Sequence, residues 1–177
     1  MIIDNFSNSR LVTERGVFAA ALFSPCKRYR YILEHRWGSL YKTVAFVGLN
    51  PSTATHEQSD PTVTRCINYA KAWGFGGMLM LNLFAYRATD PKDMKRHHAP
   101  IGGPDTNDTL ERCSRMCELT VAAWGTHGTY MGRDREVLPL LTDPHALRLT
   151  KKGLPWHPLY LPRGLDPFPY PNPYADD

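Results

Sequence analysis

The 177-residue chain lacks any apolar run long enough to cross a membrane. A membrane-spanning helix needs about 20 predominantly apolar residues. The first ten residues, MIIDNFSNSR, also lack the basic and then apolar order of a secretory signal peptide. We therefore expect a cytoplasmic protein with no membrane partner. Internal repeats are also absent, which argues against a solenoid or a propeller.

Cysteine is scarce, with four residues in the chain. Cys113 and Cys117 are four positions apart in a helical stretch and would share one helix face. Cytosolic proteins rarely form disulfides, and the wide spacing of the four does not resemble an iron–sulfur ligand set. We interpret them as small buried thiols, since cysteine is among the most buried residue types. The sequence implies no metal and no cofactor.

The chain also lacks a large net charge of either sign, because it contains 21 Lys and Arg residues and 17 Asp and Glu residues, for a net charge of +4. A mildly basic chain attracts polyanions weakly at physiological salt, so composition alone does not identify a nucleic-acid-binding protein. The length suits one domain. We predict a single domain over 1–177, with an N-terminal extension, 1–15, and a proline-rich tail, 162–177. No obligate protein partner is evident, and we expect a monomer.

The pattern of apolar residues predicts alternating strands and helices. Asp60 followed by Pro61 is typical of a helix start, as an N-cap and a first-turn proline. Strands are predicted at 16–23, 28–34, 43–48, 78–83, 119–124 and 147–150, and helices at 60–73, 105–117 and 133–141. This order predicts an α/β fold, namely a three-layer α/β/α sandwich with a mostly parallel central sheet of about four strands, plus an N-terminal β-hairpin.

Ligands of such sheets bind beyond the carboxyl ends of the strands, and two asparagines stand there. Pro51 keeps the preceding Asn50 out of the helical region, at the end of a buried strand. Asn82 directly follows the buried apolar run Met78–Leu81, where an unpaired amide is costly. A side-chain amide carries both a donor and an acceptor and can read the edge of a pyrimidine. An ordinary Asn-Pro turn and a loop cap are the structural alternatives.

Two further strand-end segments contain histidines. The loop Gly125–Gly128 is flanked by glycines, and its backbone amides could hold a phosphate. An ordinary surface position is the alternative for His127 within it. His157 lies between prolines in PWHP, and this rigid setting suits a fixed imidazole.

Six segments of the chain together resemble the uracil-DNA glycosylase-like superfamily and, within it, the DUF1643 family. The resemblance covers residues 16–165 approximately, and the segments that carry it are SPCKRYRYIL, FVGLNPSTA, SDPTVTRC, LNLFAYRATDP, AWGTHG and LTKKGLPWHPLYL. It implies a monofunctional DNA glycosylase with DNA as its partner. Such an enzyme flips a nucleotide out of the duplex and leaves an abasic site.

The resemblance also implies roles for individual residues. Asn50 would handle the water and His157 would lie near the base oxygen, as the catalytic pair. The implied base-binding residues are Gly48, Leu49, Ser52 and Asn82. Leu161 would be the wedge that fills the gap left by the flipped base, with Tyr160 as the alternative. The remaining implied DNA contacts are Arg87, Thr126, His127, Lys151, Lys152 and Arg163, for which solvated surface positions are the alternative.

Two positions depart from the pattern of strongly uracil-specific enzymes. Asn50 stands where those enzymes carry Asp, and Ser52 stands where they carry a tyrosine that blocks pyrimidine C5. A serine leaves room, so we expect uracil or a modified pyrimidine as the base, such as the hypermodified cytosine of phage DNA. Its removal would serve antiviral defence, whereas uracil removal would serve DNA repair. The alternatives are a non-catalytic nucleic-acid-binding module and a hydrolase of free nucleosides or nucleotides.

Overall fold

The computed structural model describes residues 10–12, 18–38, 42–53 and 60–174. Its strands are β1 (Arg10–Val12), β2 (Phe18–Phe23), β3 (Arg30–Arg36), β4 (Thr43–Gly48), β5 (Gly77–Asn82), β6 (Leu119–Ala122), β7 (Pro144–Ala146) and β8 (Phe168–Pro169). The α-helices are α1 (Pro61–Ala72), α2 (Pro91–Arg96), α3 (Asp105–Met116) and α4 (Arg133–Val137). Short 3-10 helices cover Thr126–Gly132, Leu138–Leu140 and Pro158–Tyr160.

All eight strands form one mixed sheet in the order β1-β2-β3-β5-β4-β6-β7-β8. The pairs β4–β5, β4–β6 and β6–β7 are parallel, whereas β1–β2, β2–β3, β3–β5 and β7–β8 are antiparallel. The prediction of a three-layer sandwich around a mostly parallel sheet of about four strands is therefore wrong. The predicted N-terminal β-hairpin is present as β2 and β3, and it is part of the main sheet because β3 pairs with β5.

The core lies on the two faces of this sheet. Strands β4 and β5 are buried along their whole length, as a continuous apolar run covered on both faces requires. One core cluster joins alternate residues of these strands to α1; it contains Val44, Phe46, Met78, Met80, Val63 and Cys66. The other cluster joins the intervening residues to α2, α3 and α4, and contains Ala45, Val47, Leu79, Leu81, Met94, Leu110 and Val137.

Several boundaries follow from local capping. Helix α1 starts as predicted, with the Asp60 carboxylate accepting hydrogen bonds from the backbone N–H groups of Thr62 (2.8 Å) and Val63 (3.4 Å). Helix α2 was not predicted, although Asp90 caps it in the same way, ahead of a proline. The helix predicted over 133–141 is α-helical only to Val137, since Pro139 has no N–H to continue the ladder. The last parallel strand is Pro144–Ala146 rather than 147–150.

Both ends of the chain contribute to the sheet. Strand β1 falls within the predicted N-terminal extension, and β8 falls within the predicted proline-rich tail. The tail packs closely, because Tyr170 is buried with its ring centroid 6.0 Å from that of Trp124. The Tyr174 hydroxyl donates to Asp134 Oδ2 at 2.5 Å.

Two further observations concern the described residues as a whole. No helix among them is long and apolar enough to cross a bilayer, and no group of three or more His, Cys, Asp or Glu residues among them could hold a metal ion. Cys66 and Cys113 are buried and Cys117 is half-buried, as expected for small core thiols, whereas Cys26 is exposed.

Candidate functional site

A cavity of about 880 Å³ opens at the carboxyl ends of β4, β5 and β6. Asn50 reaches it from the loop after β4, Asn82 ends β5, and His157 comes from the segment that precedes the 3-10 helix Pro158–Tyr160. These three side chains, far apart in the chain, thus line one hollow. Its other lining residues include Leu49, Ser52, Thr53, Asp60, Met80, Trp124 and Trp156.

Asn82 places a buried polar group in this cavity. Its residue is 4% exposed, and both Nδ2 and Oδ1 have no hydrogen-bond partner among the described residues. An unpaired buried amide costs about 1–3 kcal/mol. The backbone of β4 leaves space for it, because a Cβ on Gly48 would lie 3.0 Å from Asn82 Oδ1 and 2.6 Å from the Met80 methyl carbon. The donor and the acceptor of Asn82 are therefore both available to a ligand.

Asn50 is held in one orientation by its own amide nitrogen. Nδ2 donates to the carbonyl oxygen of Ala88 at 2.8 Å and to that of Pro51 at 3.2 Å. These bonds occupy the donors, so the group that Asn50 offers to a water is the acceptor oxygen Oδ1. An amide does not take up a proton at neutral pH. Asn50 can therefore position a water but cannot deprotonate it.

His157 is a neutral hydrogen-bond donor. Its Nδ1 accepts the backbone N–H of Leu159 at 3.4 Å, which places the ring proton on Nε2. Burial lowers the pKa of His157, and the negative charge of Asp60 opposes this shift. The backbone at Gly125 adopts φ 69° beside it, and a Cβ there would approach His157 Cβ to 3.4 Å.

Sequence analysis assigned no site role to several residues of the cavity, among them Asp60, Arg30 and Trp124. Asp60, predicted only as a helix cap, also lines the cavity and accepts a 2.7 Å hydrogen bond from the Ser52 hydroxyl. Arg30, at the start of β3, lines the cavity and is 6% exposed. Trp124 Nε1 is buried without a partner among the described residues. The sequence pattern around Asp60 predicted a helix cap and gave no indication that this residue also lines the cavity. No local pattern assigned Arg30 or Trp124 to the site.

The predicted DNA-contacting residues differ in exposure and in their position relative to the cavity. Thr126, His127 and Tyr160 are exposed and line the cavity. Lys151, Lys152 and Arg163 are exposed outside it. Arg87 binds backbone instead of projecting freely, since its guanidinium donates to the carbonyl oxygens of Lys27 (3.0 Å) and Thr53 (3.1 Å).

The structure places the predicted wedge, Leu161, in the core. Leu161 is 3% exposed and belongs to the core cluster that packs on α1, and this position does not favour the wedge role. The alternative wedge, Tyr160, is 73% exposed, and its ring centroid lies 5.8 Å from that of His157. Among the base-binding predictions, Leu49, Ser52 and Asn82 line the cavity, and Gly48 lies directly against Asn82.

Comparison with known proteins gives one match. Residues 30–159 match the family described as "Protein of unknown function (DUF1643)". Searches among curated proteins and among solved structures found no match. The matched range covers most of the chain and includes Arg30, Asn50, Asn82 and His157.

Proposed function

The chain belongs to the DUF1643 family, and we propose that it is a DNA glycosylase of the uracil-DNA glycosylase-like superfamily. It would hydrolyse the N-glycosidic bond of a base that has been flipped out of DNA. One observation carries the proposal: the unpaired, buried amide of Asn82 shares a single cavity with Asn50 and His157.

The cavity supports a pyrimidine as the bound base. The amide of Asn82 offers a donor and an acceptor side by side, which complements the adjacent carbonyl and N–H or NH₂ of a pyrimidine edge. The volume of about 880 Å³ lies toward the upper end of the roughly 300–1,000 Å³ of ligand pockets. The cavity therefore has room for a pyrimidine with a substituent at C5, and we propose a modified pyrimidine ahead of uracil.

His157 and Asn50 supply the chemistry. Cleavage of the N-glycosidic bond passes through an oxocarbenium-like transition state, with negative charge on the departing base. The Nε2–H of a neutral His157 donates to the base oxygen, and this bond strengthens as the charge grows. The fixed Oδ1 of Asn50 accepts a hydrogen bond from the attacking water. Stabilisation of the negative charge on the departing base therefore contributes more to the rate than activation of the water.

The rim of the cavity fits a DNA substrate. An enzyme that flips a base must fill the gap left in the stack, and we assign this role to Tyr160, which lines the cavity and is 73% exposed. Lys151, Lys152 and Arg163 are exposed and would bind backbone phosphates. DNA binding is expected to weaken as salt rises, because phosphate contacts release counterions.

The test is base release from defined DNA. The purified protein is incubated with single-stranded and duplex oligonucleotides that carry uracil, thymine, cytosine, 5-hydroxymethylcytosine or glucosylated 5-hydroxymethylcytosine, and alkali-sensitive abasic sites are scored. Asn50→Ala and His157→Ala are each expected to slow base release by roughly tenfold or more, with the fold retained. Full activity in both folded variants would contradict the mechanism. The absence of abasic sites with every DNA would contradict the proposed reaction.

A non-catalytic nucleic-acid-binding module is the second candidate, and the chemistry of Asn50 favours it. An amide at the water position cannot act as a base, so a chain that had lost catalysis would tolerate it. This candidate predicts salt-sensitive binding to DNA without abasic sites. The same oligonucleotides distinguish the two functions when binding and base release are measured in parallel.

A further inference from the structure

Arg30 places a buried positive charge in the cavity. The residue is 6% exposed, and its Nε has no hydrogen-bond partner among the described residues. Within the described part of the chain, no carboxylate forms an ion pair with it. A buried guanidinium is costly unless its donors are satisfied. This charge therefore points to a group that a ligand brings into the cavity.

A β-bulge turns Arg30 toward the cavity. In the pairing of β2 with β3, Leu22 lies opposite Ile32 and Phe23 lies opposite Arg30, so Tyr31 is an extra residue in β3. Ile32 and Tyr31 both pack on the core cluster of α3, which breaks the normal alternation of side chains along the strand. The side chain of Arg30 consequently lies on the face of the sheet that carries the cavity. Bulges next to active sites commonly redirect side chains in this way.

The neighbouring charges leave Arg30 cationic. Burial and the charge of Arg87 lower the pKa of Arg30 while Asp60 raises it, and the result is about 10. The Asp60 carboxylate is already engaged, because it accepts from Thr62 and Val63 N–H at Oδ1 and from the Ser52 hydroxyl at Oδ2. At neutral pH the cavity thus holds a guanidinium that its acidic neighbour does not neutralise by direct contact.

We propose that Arg30 is a further catalytic residue, which stabilises the negative charge that develops on the departing base. The inference rests on the proposed glycosylase function. The N-glycosidic bond breaks with its electron pair passing to the base nitrogen, and the oxygen of water forms the new bond to the sugar carbon. The proton that the water loses ends, through solvent, on the released base. Arg30 donates hydrogen bonds to the base while it carries the extra electron pair.

Because Arg30 is buried, we expect it to bind the flipped base rather than a DNA phosphate. The phosphates of bound DNA stay at the protein surface, and a flipped base is the part of DNA that enters the cavity. An amide at Asn50 cannot generate hydroxide, so the reaction depends on making the base a good leaving group. A preorganised charge at the site of developing negative charge performs that task.

The test compares leaving groups of different quality. For the pyrimidine that the wild type releases, two substrates are prepared: the parent base and its 6-aza analogue, whose anion is more stable and which keeps the same group at C5. Arg30→Met is expected to slow release of the parent base by roughly 100-fold, the loss typical of one such donor, and release of the analogue by roughly tenfold or less. Arg30→Lys keeps the charge and is expected to recover part of the rate with the parent base. Arg115→Gln, on the surface of α3, is the control that removes the same charge away from the cavity.

Equal losses with both substrates would overturn the inference, because a merely structural role slows both alike. Thermal unfolding confirms that each variant is folded, and Arg30→Gln replaces Arg30→Met if the latter does not fold. Unchanged rates in both neutral variants would also overturn it while leaving the glycosylase proposal intact.

A binding measurement separates this inference from the proposed function. Calorimetry at neutral pH compares free uracil, which is neutral, with 5-nitrouracil, which is anionic. The wild type is expected to bind the anion more tightly by roughly tenfold or more, and Arg30→Met is expected to lose that preference. Equal binding of both bases by the wild type would overturn the role of Arg30. Tight anion binding without base release from any DNA would instead contradict the proposed function and, with it, the catalytic part of this inference.

Discussion

The side-chain nitrogen of Asn50 donates a 2.8 Å hydrogen bond to the carbonyl oxygen of Ala88. The same nitrogen also donates to the carbonyl oxygen of Pro51. The loop after β4 is thereby tied to the segment that follows β5, and the acceptor oxygen of Asn50 is fixed. A carboxylate at this position would have no proton to donate and would place an anionic oxygen against two carbonyl oxygens.

Asn50→Asp is therefore expected to impair the protein. The lost donor leaves the buried carbonyl contacts unsatisfied, which costs about 1–3 kcal/mol of unfolding free energy. Chemical denaturation measures that loss, and the base-release assay measures the rate. Asn50→Gln, which keeps an amide, is the matched comparison. A stable and faster Asn50→Asp variant would show that the two hydrogen bonds are dispensable.

Asn82→Leu is expected to stabilise the fold while abolishing base release. The substitution replaces an unpaired buried amide with an apolar side chain of similar shape, a gain of about 1–3 kcal/mol. Thermal unfolding and base release are measured on the same preparation. Asn82→Asp is the control, because it keeps the shape but buries an ionisable group, and it is expected to destabilise. A lower unfolding temperature for Asn82→Leu would mean that the amide is satisfied within the folded protein.

Tyr160 and Leu161 are adjacent in sequence and are expected to respond in opposite ways to alanine. Leu161→Ala removes a core side chain and should lower the unfolding free energy by about 2–5 kcal/mol. Tyr160→Ala, at a residue that is 73% exposed, should leave stability unchanged and slow base release from duplex DNA more than from single strands. The ratio of duplex to single-strand rates is the measurement. A ratio unchanged by Tyr160→Ala would remove the wedge role.

The fold is expected to lose stability in acid partly through His157. Burial holds the folded-state pKa of His157 below its ordinary value of 6.5, so the unfolded chain takes up this proton first as the pH falls. Protonation of His157 therefore favours unfolding below about pH 6.5. The folded state regains this lost stability as the pH rises through that value.

His157→Asn tests this linkage, because an asparagine oxygen can still accept from Leu159 N–H but does not titrate. The unfolding temperature of the variant, relative to the wild type, is expected to be higher at about pH 5 than at about pH 7. His35, whose pKa burial lowers to about 4, titrates in both proteins and cancels in this difference. A difference that stays constant with pH would show that His157 has an unperturbed pKa.

Local signals in the sequence determined where the site elements begin and end. Asp60 and Pro61 start α1 because the carboxylate satisfies the first free N–H groups and proline needs none. The continuous apolar runs of β4 and β5 identified two strands buried on both faces. Asn50 follows β4 by two residues and Asn82 ends β5, so their place at the sheet edge could be predicted without a structure.

Tertiary structure alone decided the rest, because it depends on pairings between distant segments. The antiparallel pairing of β3 with β5 made the sheet mixed, and the bulge opposite β2 brought Arg30 into the cavity. Leu161 and Tyr160 follow each other in the chain, and only the packing of the 3-10 helix against α1 buried one and exposed the other. Sequence periodicity predicts which residues can lie on one face of a helix or strand. Long-range contacts determine which part of the protein packs against that face.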